Sequence, residues 1–300
     1  MPTTERIIDI SESGARLQVK LDNLVISQGD DKLSSLPLEE VAVLVVSNPA
    51  VTYTQAVLSG LMEAGGAFVC CDAKRMPNGL LLPLAGHHLT EERLQQQLAA
   101  SAPMKKRAWQ QLVQAKIAAQ GRALKAVRGD DGGLPAMAER VQSGDPTNVE
   151  AQAARKYWPL LFDDATFRRD RDLPGANALL NYGYGVLRGV VGRAIAAAGL
   201  HPSLGIHHHN RYDAFCLADD LMEPYRPVVD RAVAFHVRDH GMAAEMNKEA
   251  KAALIRPLLE HFPLGEESRS LFEIVQYTAV SLVNVFQGKR KSLLIGEVIY

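Results

Sequence analysis

Val41-Ala42-Val43-Leu44-Val45-Val46 is an unbroken apolar run dominated by β-branched side chains, the pattern of a strand buried on both faces. Around it the N-terminal part reads as further strands. Residues 6–10 and 15–19 flank the turn Glu12-Ser13-Gly14, residues 23–27 run to the turn Gly29-Asp30-Asp31, and 68–71 and 79–82 follow. Only 54–64, closing at Gly65-Gly66, has helical character in this part. From residue 91 onward the apolar period becomes that of helices, over 91–100, 104–127, 134–142, 148–158, 175–198, 216–238, 243–260 and 268–288. Pro77, Gly79, Pro83 and Gly86 punctuate the stretch between. The expected fold class is α+β: a small N-terminal β-rich domain (1–75), a linker (76–90) and a larger all-helical domain (91–300).

The composition, 47% hydrophobic and 22% charged over 300 residues, excludes wholesale disorder. No apolar run reaches the roughly 18 residues of a membrane span. Met1-Pro2-Thr3-Thr4-Glu5-Arg6 lacks the basic-then-apolar order of a signal peptide, so a cytoplasmic location is expected. Cys70, Cys71 and Cys216 form no Cys-x-x-Cys pair, which argues for buried reduced thiols and against structural zinc.

The net charge of −1 hides an uneven distribution. Residues 1–75 hold six basic and ten acidic side chains, and 76–300 hold 27 and 24. Lys105, Lys106, Arg107, Lys116, Arg122, Lys125 and Arg128 share one acid-free segment, although helical spacing scatters them around the axis and a solvated helix explains them as well.

Three places carry candidate hard-metal ligands. Glu150 opens a helix in which Ala153 and Ala154 lie one turn on and leave room for close approach; it is also the acidic first-turn residue that a helix dipole favours. His207-His208-His209 follows Gly205-Ile206, and adjacent side chains diverge, so at most one or two serve a single site. Asp220 and Glu223 are three apart and share a helix face, yet Pro224 and Pro227 fall in the same pattern, which predicts an irregular turn.

In combination these segments resemble a known family. Glu150-x-x-Ala153-Ala154-x-x-Tyr157, then Asn177-Ala178-Leu179-Leu180-Asn181-Tyr182-Gly183-Tyr184, then Gly205-Ile206-His207-His208, then Asp220-Leu221-Met222-Glu223-Pro224-Tyr225-Arg226-Pro227 are similar in order and spacing to the CRISPR adaptation integrase and endonuclease family ("Cas one"). The wording of the last two segments looks most like versions from type II systems. The resemblance implies that the helical domain is catalytic and binds a metal through Glu150, His208 and Glu223, with Asp220 auxiliary. His208 is preferred to His207 because the family's Gly-x-x-His runs without a gap from Gly205 to His208, and the acid follows fifteen positions later. It also implies a homodimer, with the acidic β part as the pairing region, and assembly with a small adaptation partner ("Cas two") and other type II CRISPR proteins.

One imidazole and two carboxylates suit Mn²⁺ or Mg²⁺ rather than zinc. Attack on a phosphodiester by a DNA 3′-hydroxyl would be strand transfer, and attack by water would be endonuclease cleavage. Arg155, Arg168, Arg169, Arg171, Arg188, Arg211, Arg226 and the cluster Lys289-Arg290-Lys291 supply phosphate-neutralising charge for double-stranded DNA in the same half of the chain. The residues alone leave two other classes open, a metal-dependent nucleotide phosphohydrolase and a DNA-binding subunit without catalysis.

Overall fold

The structure, a computed structural model, describes residues 5–299 apart from Glu12 and Asp30. Residues 1–4, Glu12, Asp30 and Tyr300 lie outside the described residues, and with them the N-terminal stretch and one residue of each turn read at 12–14 and 29–31.

The N-terminal part runs β1 (Arg6–Ile10), β2 (Ala15–Lys20), β3 (Asn23–Gln28), β4 (Asp31–Pro37), β5 (Val41–Val46), β6 (Thr52–Tyr53), α1 (Gln55–Glu63), β7 (Ala67–Cys71) and β8 (Pro77–Leu81). These strands make two sheets, ordered β4-β3-β2-β6 and β1-β5-β7-β8. In the second sheet β5 lies between β1 and β7, parallel to both, and all six of its residues are buried. Its alternation assigns the two faces. Leu44 and Val46 join Leu17, Leu24, Val57, Leu61 and Phe68 in a small core within the N-terminal part, whereas Val43 and Val45 belong to the large core shared with the helices.

The remaining elements are α2 (Thr90–Ala99), α3 (Ala102–Arg128), α4 (Leu134–Ala138), α5 (Val149–Leu161), α6 (Ala176–Ala197), α7 (Cys216–Met222), α8 (Arg226–His240), α9 (Lys248–Ile255), β9 (His261–Leu264), β10 (Glu267–Ser270) and α10 (Leu271–Phe286). The mixed α+β architecture follows the expected order, strands first and helices after. The antiparallel β9–β10 hairpin is an addition to the helical part. It turns at Gly265 with φ 65° and ends at Ser270, whose side chain and Glu273 form the capping box that starts α10. No helix among the described residues is long and apolar enough to cross a membrane.

The stretch 76–90 is more than a connection, because β8 lies in it and adds an antiparallel edge to β7. Pro77 opens that edge strand opposite Cys71, next to a register shift, one of the few places in a sheet where a proline is tolerated. Of the thiols expected to be buried, only Cys216 is; Cys70 is exposed and Cys71 intermediate, at the end of β7 whose first three residues are buried.

Helix α6 carries the sheet. A Cβ at Gly185 would lie 2.4 Å from Pro77 Cβ, one at Gly189 3.0 Å from Val69 Cγ2 and 3.2 Å from Val43 Cγ1, and one at Gly192 3.0 Å from Leu80 Cδ2. Spacings of four and three place these glycines on one face, so the sheet seats directly on helix backbone. A buried polar group ties the same joint. Asp9 accepts from Tyr182 Oη at 3.0 Å and from Ser47 Oγ at 2.6 Å, and Lys251 Nζ reaches Ser47 Oγ at 2.5 Å. Overpacking costs about 1–3 kcal/mol, which outweighs a gain of under about 1 kcal/mol in helix propensity. Gly189→Leu should therefore lower the urea unfolding midpoint by the equivalent of roughly 2 kcal/mol. An unchanged midpoint would mean that the sheet does not rest on α6 there.

Candidate active site

Helix α5 starts at Asn148, in left-handed conformation with φ 53°, and its side chain accepts from Ala151 N. Asp145 accepts from Val149 N at 2.9 Å and Glu150 N at 3.0 Å. The orphan amides of the first turn are thus satisfied by other residues. The Glu150 carboxylate instead turns to α3, where Lys116 Nζ donates to it at 2.5 Å.

Lys116 Nζ also lies 2.6 Å from Glu223 Oε2, and the other oxygen of Glu223 is 3.0 Å from Arg226 Nε. Both Glu223 contacts are close in distance but poor in angle, so Glu223 Oε2 and Arg226 Nε are buried without a hydrogen-bond partner and attraction between charges holds them. Glu223 itself sits on the one-turn 3-10 helix Glu223–Tyr225 between α7 and α8. The prolines account for this irregular turn. Pro224 falls within the 3-10 turn, and Pro227 occupies the first turn of α8, where its missing N–H is no loss. Burial would raise the Glu223 carboxyl, but Arg226 and Lys116 outweigh it and hold the group below its usual range. Burial likewise opposes the Lys116 charge, and Glu223 and Glu150 more than restore it.

The histidine loop is built on Asp220, which is fully buried. Its carboxylate accepts from Ile206 N at 2.6 Å, His207 N at 2.9 Å and His208 N at 3.2 Å, and lies 2.6 Å from His208 Nδ1. A Cβ at Gly205 would meet His208 O at 2.3 Å, so only glycine fits the loop entry. With Nδ1 engaged by Asp220, Nε2 is the ring nitrogen left for a ligand. The hydrogen bond to Asp220 raises His208 above the ordinary histidine range. His207 differs: its ring stacks on Trp109 at 4.2 Å and 2°, and burial lowers it. Asp220, expected as an auxiliary ligand, commits both oxygens to this loop and therefore orients His208.

Among the described residues, no three His, Cys, Asp or Glu side chains converge closely enough to cage a metal ion. An ammonium fills the place where two carboxylates meet. The donor set still suits a hard divalent ion: Glu150, the hydrogen-bond-free Oε2 of Glu223 and an imidazole whose other nitrogen is fixed by a carboxylate.

The predicted basic residues divide. Arg155, Lys289, Arg290 and Lys291 are exposed, and so is Arg168, though its guanidinium donates to Phe167 O at 2.8 Å. Arg169 is held by Asn177 and Asn181. Arg226 is paired with Glu223 and stacks over Tyr184 at 4.7 Å, which makes it part of the acidic centre. Arg169, Arg171, Arg188 and Arg226 converge with Lys74 on a cleft of about 660 Å³. Sequence reading missed two central groups. Lys116 appeared only as one base in a run, yet it is one turn from the buried Leu112 and Gln120, a lysine on the inner face of α3. Asp230 gave no motif signal.

Comparison with known proteins supports a single relationship. The family model "CRISPR associated protein Cas1" matches residues 8–257. The chain is 36% identical over 264 residues to the CRISPR-associated endonuclease Cas1 of Neisseria meningitidis serogroup C, covering 85% of this chain and 83% of that protein. Its fold is similar to that of a casposase bound to integration product, with TM-score 0.80, 17% identity and coverage of 99% and 94%. It is also similar to a chain of a Cas6-RT-Cas1–Cas2 complex, with TM-score 0.74, 19% identity and coverage of 100% of this chain and 36% of that one.

Asp230 is buried under the site and accepts from Tyr157 Oη at 3.0 Å and from Tyr184 Oη. Burial pushes it up to about 7, against the pull of those hydroxyls and Arg226. Its folded value thus exceeds the roughly 3.9 of a free aspartate, so its contribution to stability is complete below about pH 4 and lost as pH rises through about 7. Asp230→Asn lacks that loss. Its melting temperature relative to wild type should climb from pH 5 to pH 8; a constant difference would show that Asp230 does not titrate there.

Proposed function

The chain belongs to the Cas1 family of CRISPR-associated proteins, and we propose that it is a divalent-metal-dependent DNA integrase and endonuclease that inserts new spacers into a CRISPR array. The reading rests on one observation above all. Glu150 of α5 and Glu223 of the α7–α8 turn are drawn to a common cation, and His208, whose ring Asp220 holds in place, feels the Glu223 charge. Glu150, Glu223 and His208 are the residues that would hold Mn²⁺ or Mg²⁺, and such an ion, when bound, polarises the phosphodiester and the attacking oxygen. The chain's own groups do the rest. Asp220 fixes the His208 tautomer, Arg226 restrains the second oxygen of Glu223, and the cleft of Arg169, Arg171, Arg188 and Lys74 offers positive charge to the DNA backbone. Exposed Arg155, Arg168, Lys289, Arg290 and Lys291 would extend that phosphate contact along duplex DNA.

With a DNA 3′-hydroxyl as nucleophile the product is a new phosphodiester, and with water it is a nick. The likeness to the casposase bound to integration product favours the first outcome. The likeness to a chain of a Cas6-RT-Cas1–Cas2 complex favours a small Cas2-type partner. Two copies of this chain would pair through the acidic β-rich part, in a prokaryotic cytoplasm and alongside type II CRISPR proteins.

Glu150→Ala should reduce strand transfer into a supercoiled CRISPR plasmid by at least about 100-fold with Mn²⁺ present, while circular dichroism stays wild type because Asp145 and Asn148 cap α5 without it. Wild-type turnover in that variant would remove Glu150 from the site. Cleavage of free nucleotides with no strand transfer by the native protein would favour a phosphohydrolase instead.

The two histidines should also separate. His208→Ala is expected to weaken Mn²⁺ binding about 10- to 100-fold or more, whereas His207→Ala, which loses the stack on Trp109, mainly lowers the melting temperature. Calorimetric titration of both variants decides, and the reverse pattern would move the ligand to His207.

A further inference from the structure

Lys116 is the only cationic side chain placed against both Glu150 and Glu223 among the described residues. It approaches from the inner face of α3 with its side chain 13% exposed, and its ammonium is 2.5 Å from one carboxylate and 2.6 Å from the other. Two carboxylates brought to one partly buried point repel each other unless a positive charge lies between them. We propose that Lys116 is the internal counter-cation of the metal-free protein, and that a divalent ion and this ammonium compete for the same pair of carboxylate oxygens.

Resting on the metal-site reading above, the inference follows from space and charge. A divalent ion binds carboxylate oxygens at about 2.0–2.6 Å, so it would occupy the ground on which the ammonium stands. An ion bound between the two carboxylates repels the Lys116 ammonium, and Arg226 already restrains one of them. Lysine suits a contact that must be given up. Its ammonium is a point charge on a flexible stem, and its contact with Glu223 Oε2 lacks the angle of a hydrogen bond. Lys116 thereby preassembles Glu150 and Glu223 while raising the ion concentration at which the site fills.

The test is calorimetric titration of Mn²⁺ into the full chain carrying Lys116→Gln, Lys116→Arg or Glu150→Gln, with melting curves in chelator and in Mn²⁺. Lys116→Gln should melt below wild type in chelator, bind Mn²⁺ about tenfold more tightly and gain more from Mn²⁺ in melting temperature. Lys116→Arg keeps the charge and should bind Mn²⁺ no more tightly than wild type. If Lys116→Gln folds only with Mn²⁺ present, that rescue supports the inference; failure to fold even then, while Lys116→Arg folds, overturns it. Unchanged or weaker Mn²⁺ binding by Lys116→Gln, with binding lost in Glu150→Gln, overturns the inference alone. Equal Mn²⁺ binding by wild type and Glu150→Gln removes the metal site itself and the inference with it.

Discussion

Asp219, Asp220, Glu223 and Asp230 lie along one short stretch of chain, and each is at most 6% exposed. A carboxylate taken out of water must be met by donors or opposite charge, or it is too costly to keep. Their partners come from elements scattered along the chain. Arg188 of α6 reaches Asp219 at 2.6 and 2.8 Å, the amides of the 206–208 loop and His208 surround Asp220, Lys116 of α3 and Arg226 flank Glu223, and Tyr157 of α5 and Tyr184 of α6 close on Asp230. The α7–α8 rod therefore dictates where α3, α5, α6 and the histidine loop come to rest. The candidate site is a consequence of that compensation: meeting the acids brings Glu150 and Glu223 to one ammonium and fixes the His208 ring on Asp220.

What could be read from the sequence is what local chemistry determines. Six consecutive apolar residues rich in valine favour a strand with two buried faces, and β5 divides its side chains between two cores. The helical stretches announced themselves by period, and Pro224 and Pro227 announced the broken turn between α7 and α8. The motif residues were legible because several unusual segments stood in order along the chain. Glu150 alone would have passed for a dipole-favoured first-turn acid, and only its tertiary partner shows otherwise.

What stayed hidden depends on contacts distant in sequence. Lys116 precedes Glu150 by 34 positions and belongs to the site only because α3 crosses α5 and the α7–α8 turn. Asp230 is one aspartate on an amphipathic helix until two tyrosines from other helices reach it. The β9–β10 hairpin is short, and its second strand merges into the capping box of α10, so period alone draws it into the helix. Residues 79–82 read both as a strand and as part of a linker, because an edge strand tolerates the same prolines and glycines as a loop.

The seat of the sheet on the glycine face of α6 also bears on how such a chain can be inherited. A linker that merely joined two independent bodies would let recombination exchange one half for another. Here a cut just before β8 would divide it from its partner strand, and a cut anywhere between residues 75 and 91 would strip the α6 cover from Val43 and Val69. It would also leave Lys251 buried without Asp9 and Ser47. Neither half is a spare part. Any larger polypeptide that acquires this chemistry by fusion has to take in both halves together, as one cassette.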